Sequence, residues 1–186
     1  YYNKVTGSTN TTYLRQFHNL YVKKKLIDIV SNKNDILIDY SVGKGGDLPK
    51  WINSDLKFVL GIDLSKDNIE NRIDGACARY LNQKKKNNNI PDVLFLHGDS
   101  TKNIKELETV FTERNKKSLS AVFGKGEKDI DILGKGIFKK WNIASNDFNI
   151  SSIQFAIHYM FENTNTLHNF LRNVSECTRV NGYFIG

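Results

Sequence analysis

Three short apolar runs, each closed by a carboxylate, limit what this chain can fold into more than any other feature. Ile36–Leu37–Ile38 stops at Asp39, Phe58–Val59–Leu60–Gly61–Ile62 at Asp63, and Val93–Leu94–Phe95–Leu96 at Gly98–Asp99. Apolar runs of this length suit strands buried on both faces, as in a parallel sheet covered by helices. Helical segments lie between them. Thr12 to Val30 sets Leu14, Phe17, Tyr21, Leu26 and Val30 at near-helical intervals, with Lys23, Lys24 and Lys25 breaking one turn. A short helix ends near Ile52, Ser65 caps a helix running toward Lys86, and Ile104 to Phe111 predicts another. Phe148 to Ile157 reads as a fourth strand region, Thr164 to Cys177 as a helix, and Tyr183–Phe184–Ile185 as a fifth strand. This alternation predicts an α/β fold with a doubly wound, mainly parallel sheet. The 186 residues are expected to form one domain over 1–186, a fragment of a longer chain truncated after the fifth strand.

Two stretches depart from the rhythm. Lys84 to Asn89 reads as the solvated end of a helix, and Arg114 to Asn146, rich in Lys and Gly, reads as an inserted loop or lid. Its glycine clusters, Gly124–Lys125–Gly126 and Gly134–Lys135–Gly136, follow no strand and are expected to be mobile loop. Cys77 and Cys177 lie far apart with no His at zinc spacing, so neither a disulfide framework nor a metal site is indicated, and a reducing compartment is the default. No apolar stretch approaches a membrane span, and Tyr1 to Tyr13 lacks the pattern of a signal peptide. The balance of 27 basic and 20 acidic residues, +7, suits a polyanionic partner or simply a solvated surface.

In doubly wound sheets ligands bind beyond the carboxyl ends of the strands, near the point where strand order reverses. Asp39, Asp63, Asp99 and Gln154 converge there, with the Gly43–Lys44–Gly45–Gly46 loop among them. Asp63, 20 residues beyond Gly43, is placed to accept ribose hydroxyls, which implies a nucleoside ligand. The phosphate-binding G-x-x-x-x-G-K-[ST] and dinucleotide G-x-G-x-x-G patterns are both absent from this loop, which leans away from nicotinamide enzymes. Taken singly, Asp39 or Asp99 could instead simply cap the next helix, though the combined pattern is the stronger signal. The segment Gln154–Phe155–Ala156–Ile157–His158–Tyr159 sets an imidazole beside aromatic rings on the ligand side, where a flat base can stack.

With these residues the chain resembles the methyltransferase domain of mRNA cap (guanine-N7) methyltransferases, most of all the form carried by multifunctional capping enzymes of large DNA viruses. The likeness rests on Phe17–His18–Asn19 leading into Lys23–Lys24–Lys25, on Gly43–Lys44–Gly45–Gly46–Asp47–Leu48 with Lys50–Trp51, and on Gly61–Ile62–Asp63. Gln154 to Glu162 is its most specific segment, and Asn181 to Gly186 matches a further one. The resemblance implies a class I, Rossmann-like methyltransferase fold with S-adenosylmethionine as donor and S-adenosylhomocysteine as product. It places Lys23, Ser41, Gly43, Asp63, Asp99, Gln154 and Tyr159 along the donor, and Asn19, Lys44, His158 and Tyr159 against the cap guanosine and its phosphates. His158 and Tyr159 are then positioning residues, with no general base and no metal.

The same resemblance implies capped RNA as substrate, upstream triphosphatase and guanylyltransferase domains in one polypeptide, a stimulatory subunit, and, if the source is viral, the host cytoplasm or the virion. One departure stands out: the family has Leu-Gly-Cys-Gly where this chain has Tyr40–Ser41–Val42–Gly43, which puts donor affinity in question. A non-catalytic donor- or RNA-binding module in a capping assembly is the competing reading; a small-metabolite methyltransferase leaves His158–Tyr159 and the basic balance unexplained.

Overall fold

A computed structural model describes residues 11–186; the leader reading for Tyr1 to Tyr13 lies, up to residue 10, outside the described residues. Five strands form one sheet: β1 (Ile36–Asp39), β2 (Phe58–Asp63), β3 (Asp92–His97), β4 (Phe148–Ser152) and β5 (Thr178–Ile185). Their order is β3-β2-β1-β4-β5, and every pairing is parallel. The chain winds outward from β1 through β3, then crosses back to begin β4 on the other side. The gap between β1 and β4 is therefore the point where strand order reverses.

Side chains alternate across the strands, and this sorts the core into two layers. Leu37, Val59 and Ile150 meet Ile27 of α2 (Lys23–Val30), Trp51 of α3 (Leu48–Asn53), Ile69 of α4 (Lys66–Glu70) and Tyr80 of α5 (Ala76–Lys86). On the opposite face Ile38, Leu60 and Ile62 meet Leu119 and Val122 of α6 (Glu113–Val122) and Phe170 of α8 (Thr164–Cys177). The segment leading into α2 is also helical: α1 (Thr12–Gln16) passes into a π-helical turn, Phe17–Val22, before α2 begins. Such turns widen a helix by one residue and recur at functional sites.

Four expectations are corrected. The helix from Ser65 does not reach Lys86: Ser65 caps α4 through the Asn68 N–H (3.3 Å), but the chain breaks at Asn71 and restarts at Gly75. A Cβ on Gly75 would lie 2.7 Å from the Asn71 backbone, so the tight turn needs glycine. Ile104 to Phe111 is not helical. Leu107 has φ of 65°, Val110 bridges antiparallel to Gly98, and Ile104 and Val110 enter the core from a folded loop. Arg114 to Asn146 is not a loop: it contains most of α6 and all of α7 (Ile130–Phe138), which is kinked at Gly134. Finally, β4 ends at Ser152, so Gln154 lies just beyond the strand rather than within it.

Candidate functional site

The turn after β1 is anchored by the residues that depart from the family pattern. Tyr40 is buried, its hydroxyl 3.1 Å from Ser151 Oγ and donating to the Asn173 carbonyl at 3.2 Å, while Val42 packs into the opposite layer. Between them Ser41 is not among the residues with positive φ, so serine in place of glycine brings no left-handed strain. Its N–H donates to Asp39 Oδ1 at 3.0 Å. Gly43 is the residue that needs its freedom: φ is 55°, and its N–H donates to Asp63 Oδ2 at 2.7 Å.

Asp63 thus holds the glycine loop from the end of β2. Its other oxygen accepts the Ser65 N–H (2.9 Å) and the Asn68 side-chain amide (3.0 Å). A carboxylate has about four lone-pair sites, so one remains for an outside hydroxyl. Asp99, half-buried after β3, accepts the Thr101 N–H (2.9 Å) and hydroxyl (2.7 Å) on Oδ1. It stabilises its own turn, as a strand-end acid can, while facing the same end of the sheet as Asp39 and Asp63.

Asp39 is the most perturbed carboxyl. Burial raises its pKa to about 7, the Asp47 charge adds to the rise, and the Ser41 N–H and Lys23 oppose it. Asp47, at the position preceding α3, makes no capping bond to that helix. Its carboxylate instead pairs with Lys23 Nζ (3.2 Å) and Lys50 Nζ (2.8 Å). Sequence reasoning leaves Asp47 and Lys50 out of the site; the available signal is an acid at a helix start immediately after a glycine loop.

Lys44 lies elsewhere. Its Nζ is 2.8 Å from Asp74 and 3.6 Å from Asp67, and the Asp74 carboxylate holds it above the ordinary lysine pKa. Lys44 therefore faces the α4–α5 break, where these two acids already hold its amine. Lys23, Lys44 and Lys50 are all compensated by carboxylates, so the crevice is not the basic surface that the net charge suggested.

Beyond β4, Gln154 is buried, its amide donating to Ser152 Oγ at 3.3 Å while Oε1 has no hydrogen-bond partner among the described residues. An orphaned buried acceptor costs roughly 1–3 kcal/mol unless a ligand or water meets it. Phe155 follows with φ of 58°, a costly conformation for an aromatic residue. It stacks on His18 of the π-helical turn (ring centroids 4.8 Å), and Lys23 Nζ stands 5.7 Å from its ring. Sequence reasoning does not include His18 or Phe155 among the site residues. Asn19 is half-buried on the same π-helical turn. His158 and Tyr159 sit on a 3-10 turn (Ile157–Phe161), both exposed, with ring centroids 4.1 Å apart. Met160 buries beneath them, and Thr166 Oγ1 donates to its carbonyl at 3.0 Å, which fixes the turn to the start of α8.

The fold and this site define a class I, Rossmann-like methyltransferase. The crystal structure of the YcgJ protein from Bacillus subtilis superimposes with a TM-score of 0.51 at 15% identity, covering 90% of this chain and 49% of that one, a likeness of fold. Residues 4–186 match the mRNA (guanine-N(7))-methyltransferase domain family, and the chain belongs to that family. It is 30% identical over 186 residues to the "Probable mRNA-capping enzyme" of Acanthamoeba polyphaga mimivirus, across all of this chain but 14% of that protein. It is 28% identical over 177 residues to "mRNA cap guanine-N(7) methyltransferase 1" of Arabidopsis thaliana, covering 94% of this chain and 38% of the relative. With the Saccharomyces cerevisiae "mRNA cap guanine-N(7) methyltransferase" the identity is 27% over 173 residues, and the coverage 93% and 31%. The chain thus spans a small part of the viral relative and about a third of the cellular ones.

Proposed function

We propose that this domain transfers a methyl group from S-adenosylmethionine to N7 of the guanosine cap of mRNA. The observation that carries the reading is the site at the β1–β4 reversal: buried carboxylates, an unpartnered Gln154 oxygen and an exposed His158–Tyr159 pair lie within a chain that belongs to the family from residue 4 to residue 186. Asp47 is neutralised by Lys23 and Lys50, but Asp63, and Asp39 once ionised, carry charge that no lysine among the described residues pairs with directly, which favours a cationic ligand, and the Gln154 oxygen awaits a donor group. These residues fit the sulfonium donor.

Lys23, Ser41, Gly43, Asp63, Asp99, Gln154 and Tyr159 would hold the donor, and Asn19, His158 and Tyr159 would face the guanine. When bound, S-adenosylmethionine supplies an electrophilic methyl on sulfur. Guanine N7 offers a lone pair and carries no proton, so His158 and Tyr159 orient the base without taking a proton from it. Orientation alone can lower a barrier by roughly 7–11 kcal/mol, enough for a site without a general base. Lys44 reaches the cap phosphates only by leaving or sharing Asp74 and Asp67.

Capped RNA is the substrate on this reading. Triphosphatase and guanylyltransferase domains in the same polypeptide, as the extent of the mimivirus relative suggests, and a stimulatory subunit would complete the assembly. The setting would be reducing, and for a viral source the host cytoplasm or the virion. The test is transfer of labelled methyl to a GpppG cap analogue. Formation of 7-methylguanosine supports the reading, whereas donor binding without transfer by the full-length protein identifies a non-catalytic module.

A further inference from the structure

The lysines near the crevice are held by carboxylates, and a further lysine cluster lies at the opposite end of the sheet. Lys84, near the C-terminus of α5, and Lys140, after α7, approach the same oxygen of Asp92 at 3.5 and 3.9 Å. Asp92 opens β3, whose six residues run about 20 Å, at ~3.3 Å each, to the crevice end. Lys85, Lys86 and Lys139 extend this cluster, all exposed, and the side-chain amides of Asn87 to Asn89 follow the end of α5. Lys140 is partly buried, and its pKa is lowered first by burial and then by Lys84 and Lys139 against the opposing pull of Asp92. One carboxylate shared by two ammonium groups, with three more lysines around them, leaves a local excess of positive charge.

We propose that this lysine cluster at the amino end of β3 is a binding site for the phosphate backbone of the RNA body downstream of the cap. The inference rests on the RNA reading above. It deepens that reading by separating the two jobs: the crevice holds the donor and cap through carboxylates, an amide and rings, and the far end holds phosphates. Lysine ammonium groups are point charges suited to phosphate contact without base readout. Asn87 to Asn89 supply further donors, and several nucleotides of extended single strand cover the length of β3.

The experiment compares methyl transfer to a GpppG analogue and to a capped RNA of several tens of nucleotides, in the full-length protein. Lys85, Lys86 and Lys139 are changed together to Gln, and a charge-matched control changes Lys116, Lys117 and Lys125 to Gln. The patch variant should methylate the analogue normally but show a KM for the long RNA about tenfold higher. Its log(kcat/KM) against log salt should flatten by roughly 0.7 for each phosphate that the variant no longer neutralises. An unchanged KM, or an equal rise in the control, overturns the proposal. A separate readout covers failure of the activity reading itself: 4-thiouridine RNA cross-linked to the protein should label the peptides around Lys84–Asn89 and Lys139–Lys140 whether or not methyl is transferred. Labelling confined to other peptides overturns the site, and labelling of these peptides without any transfer keeps the site while overturning the catalytic reading.

Discussion

Asp39 sets the pH behaviour of the site. Its carboxyl titrates near 7 in the folded protein because burial and Asp47 disfavour its charge, against ~3.9 in the unfolded chain. The folded state therefore holds a proton that the unfolded state releases between these values. The contribution of this group to stability is highest below the unfolded value, falls as pH rises toward 7, and is level above it, a loss on the order of 4 kcal/mol. Asp39→Asn, whose amide oxygen can still accept the Ser41 N–H, should unfold at higher urea than the parent at pH 8 and at the same urea at pH 4. Equal midpoints at pH 8 would contradict the assignment. A cationic donor beside Asp39 draws its titration down, so donor binding should release a proton near neutrality and tighten from pH 6 to pH 8. Calorimetry in buffers of different ionisation enthalpy reads that release directly. On the proposed reading Asp63 binds the donor besides holding the glycine loop, and two substitutions separate these roles. Asp63→Ala should abolish donor binding and lower the melting temperature, because the Gly43, Ser65 and Asn68 donors lose their acceptor. Asp63→Asn, which keeps an oxygen for Gly43, should lose most donor affinity at a smaller cost in stability.

Among the elements, α8 organises more of the site than its position suggests. Asn173, fully buried on its inner side, accepts the Ile104 N–H at 2.9 Å and donates to the carbonyls of Ser100 (2.9 Å) and Lys102 (2.7 Å). It holds the loop that carries Asp99, and Ser100 Oγ in turn donates to the Tyr40 carbonyl at 2.7 Å. Asn173→Ala should destabilise the protein by about 3 kcal/mol, since several buried backbone groups lose their partner at once, and denaturant unfolding checks it. The limits of α8 are legible in the sequence because an amphipathic run starts at a capping residue, Asn163, which the Thr166 N–H reaches at 3.0 Å. Ile104, Leu107 and Val110 have helical spacing too, yet they belong to a loop fastened by side chains distant in sequence, which no local pattern contains. The cue for α6 is present at Thr112, whose side chain accepts the Asn115 N–H ahead of an acidic first turn. Lysine and glycine in the following residues conceal it. The strands are legible because burial on both faces demands unbroken apolar runs, as in β1 and β2, whose residues are all buried.

Across the whole molecule the lysines differ in how they are held: Lys23, Lys44 and Lys50 at the crevice end pair with carboxylates, whereas Lys85, Lys86 and Lys139 at the amino end of β3 are exposed, and net charge alone could not convey this. The acids at the strand ends are readable from their spacing, but their partners are not. The Asp47 pairing with Lys23 and Lys50, the His18–Phe155 stack and the withdrawal of Lys44 to Asp74 all arise from the way α2, the glycine loop and the α4–α5 break meet in space. On the proposed reading the exposed His158–Tyr159 pair orients guanine and adds little to folding, so Tyr159→Ala should lower kcat/KM about 100-fold, roughly 3 kcal/mol of lost orientation, with an unchanged melting temperature. Steady-state transfer to the cap analogue, set beside thermal unfolding, checks both halves. The central claim is that this site aligns a cationic methyl donor with guanine N7. The most direct measurement is incubation of the full-length protein with labelled S-adenosylmethionine and GpppG, followed by nuclease digestion and chromatography of the nucleosides. The account predicts label in 7-methylguanosine, formed about 100-fold more slowly by Tyr159→Ala. Label at a ribose hydroxyl or another base position, or none from a folded protein that binds the donor, would contradict it.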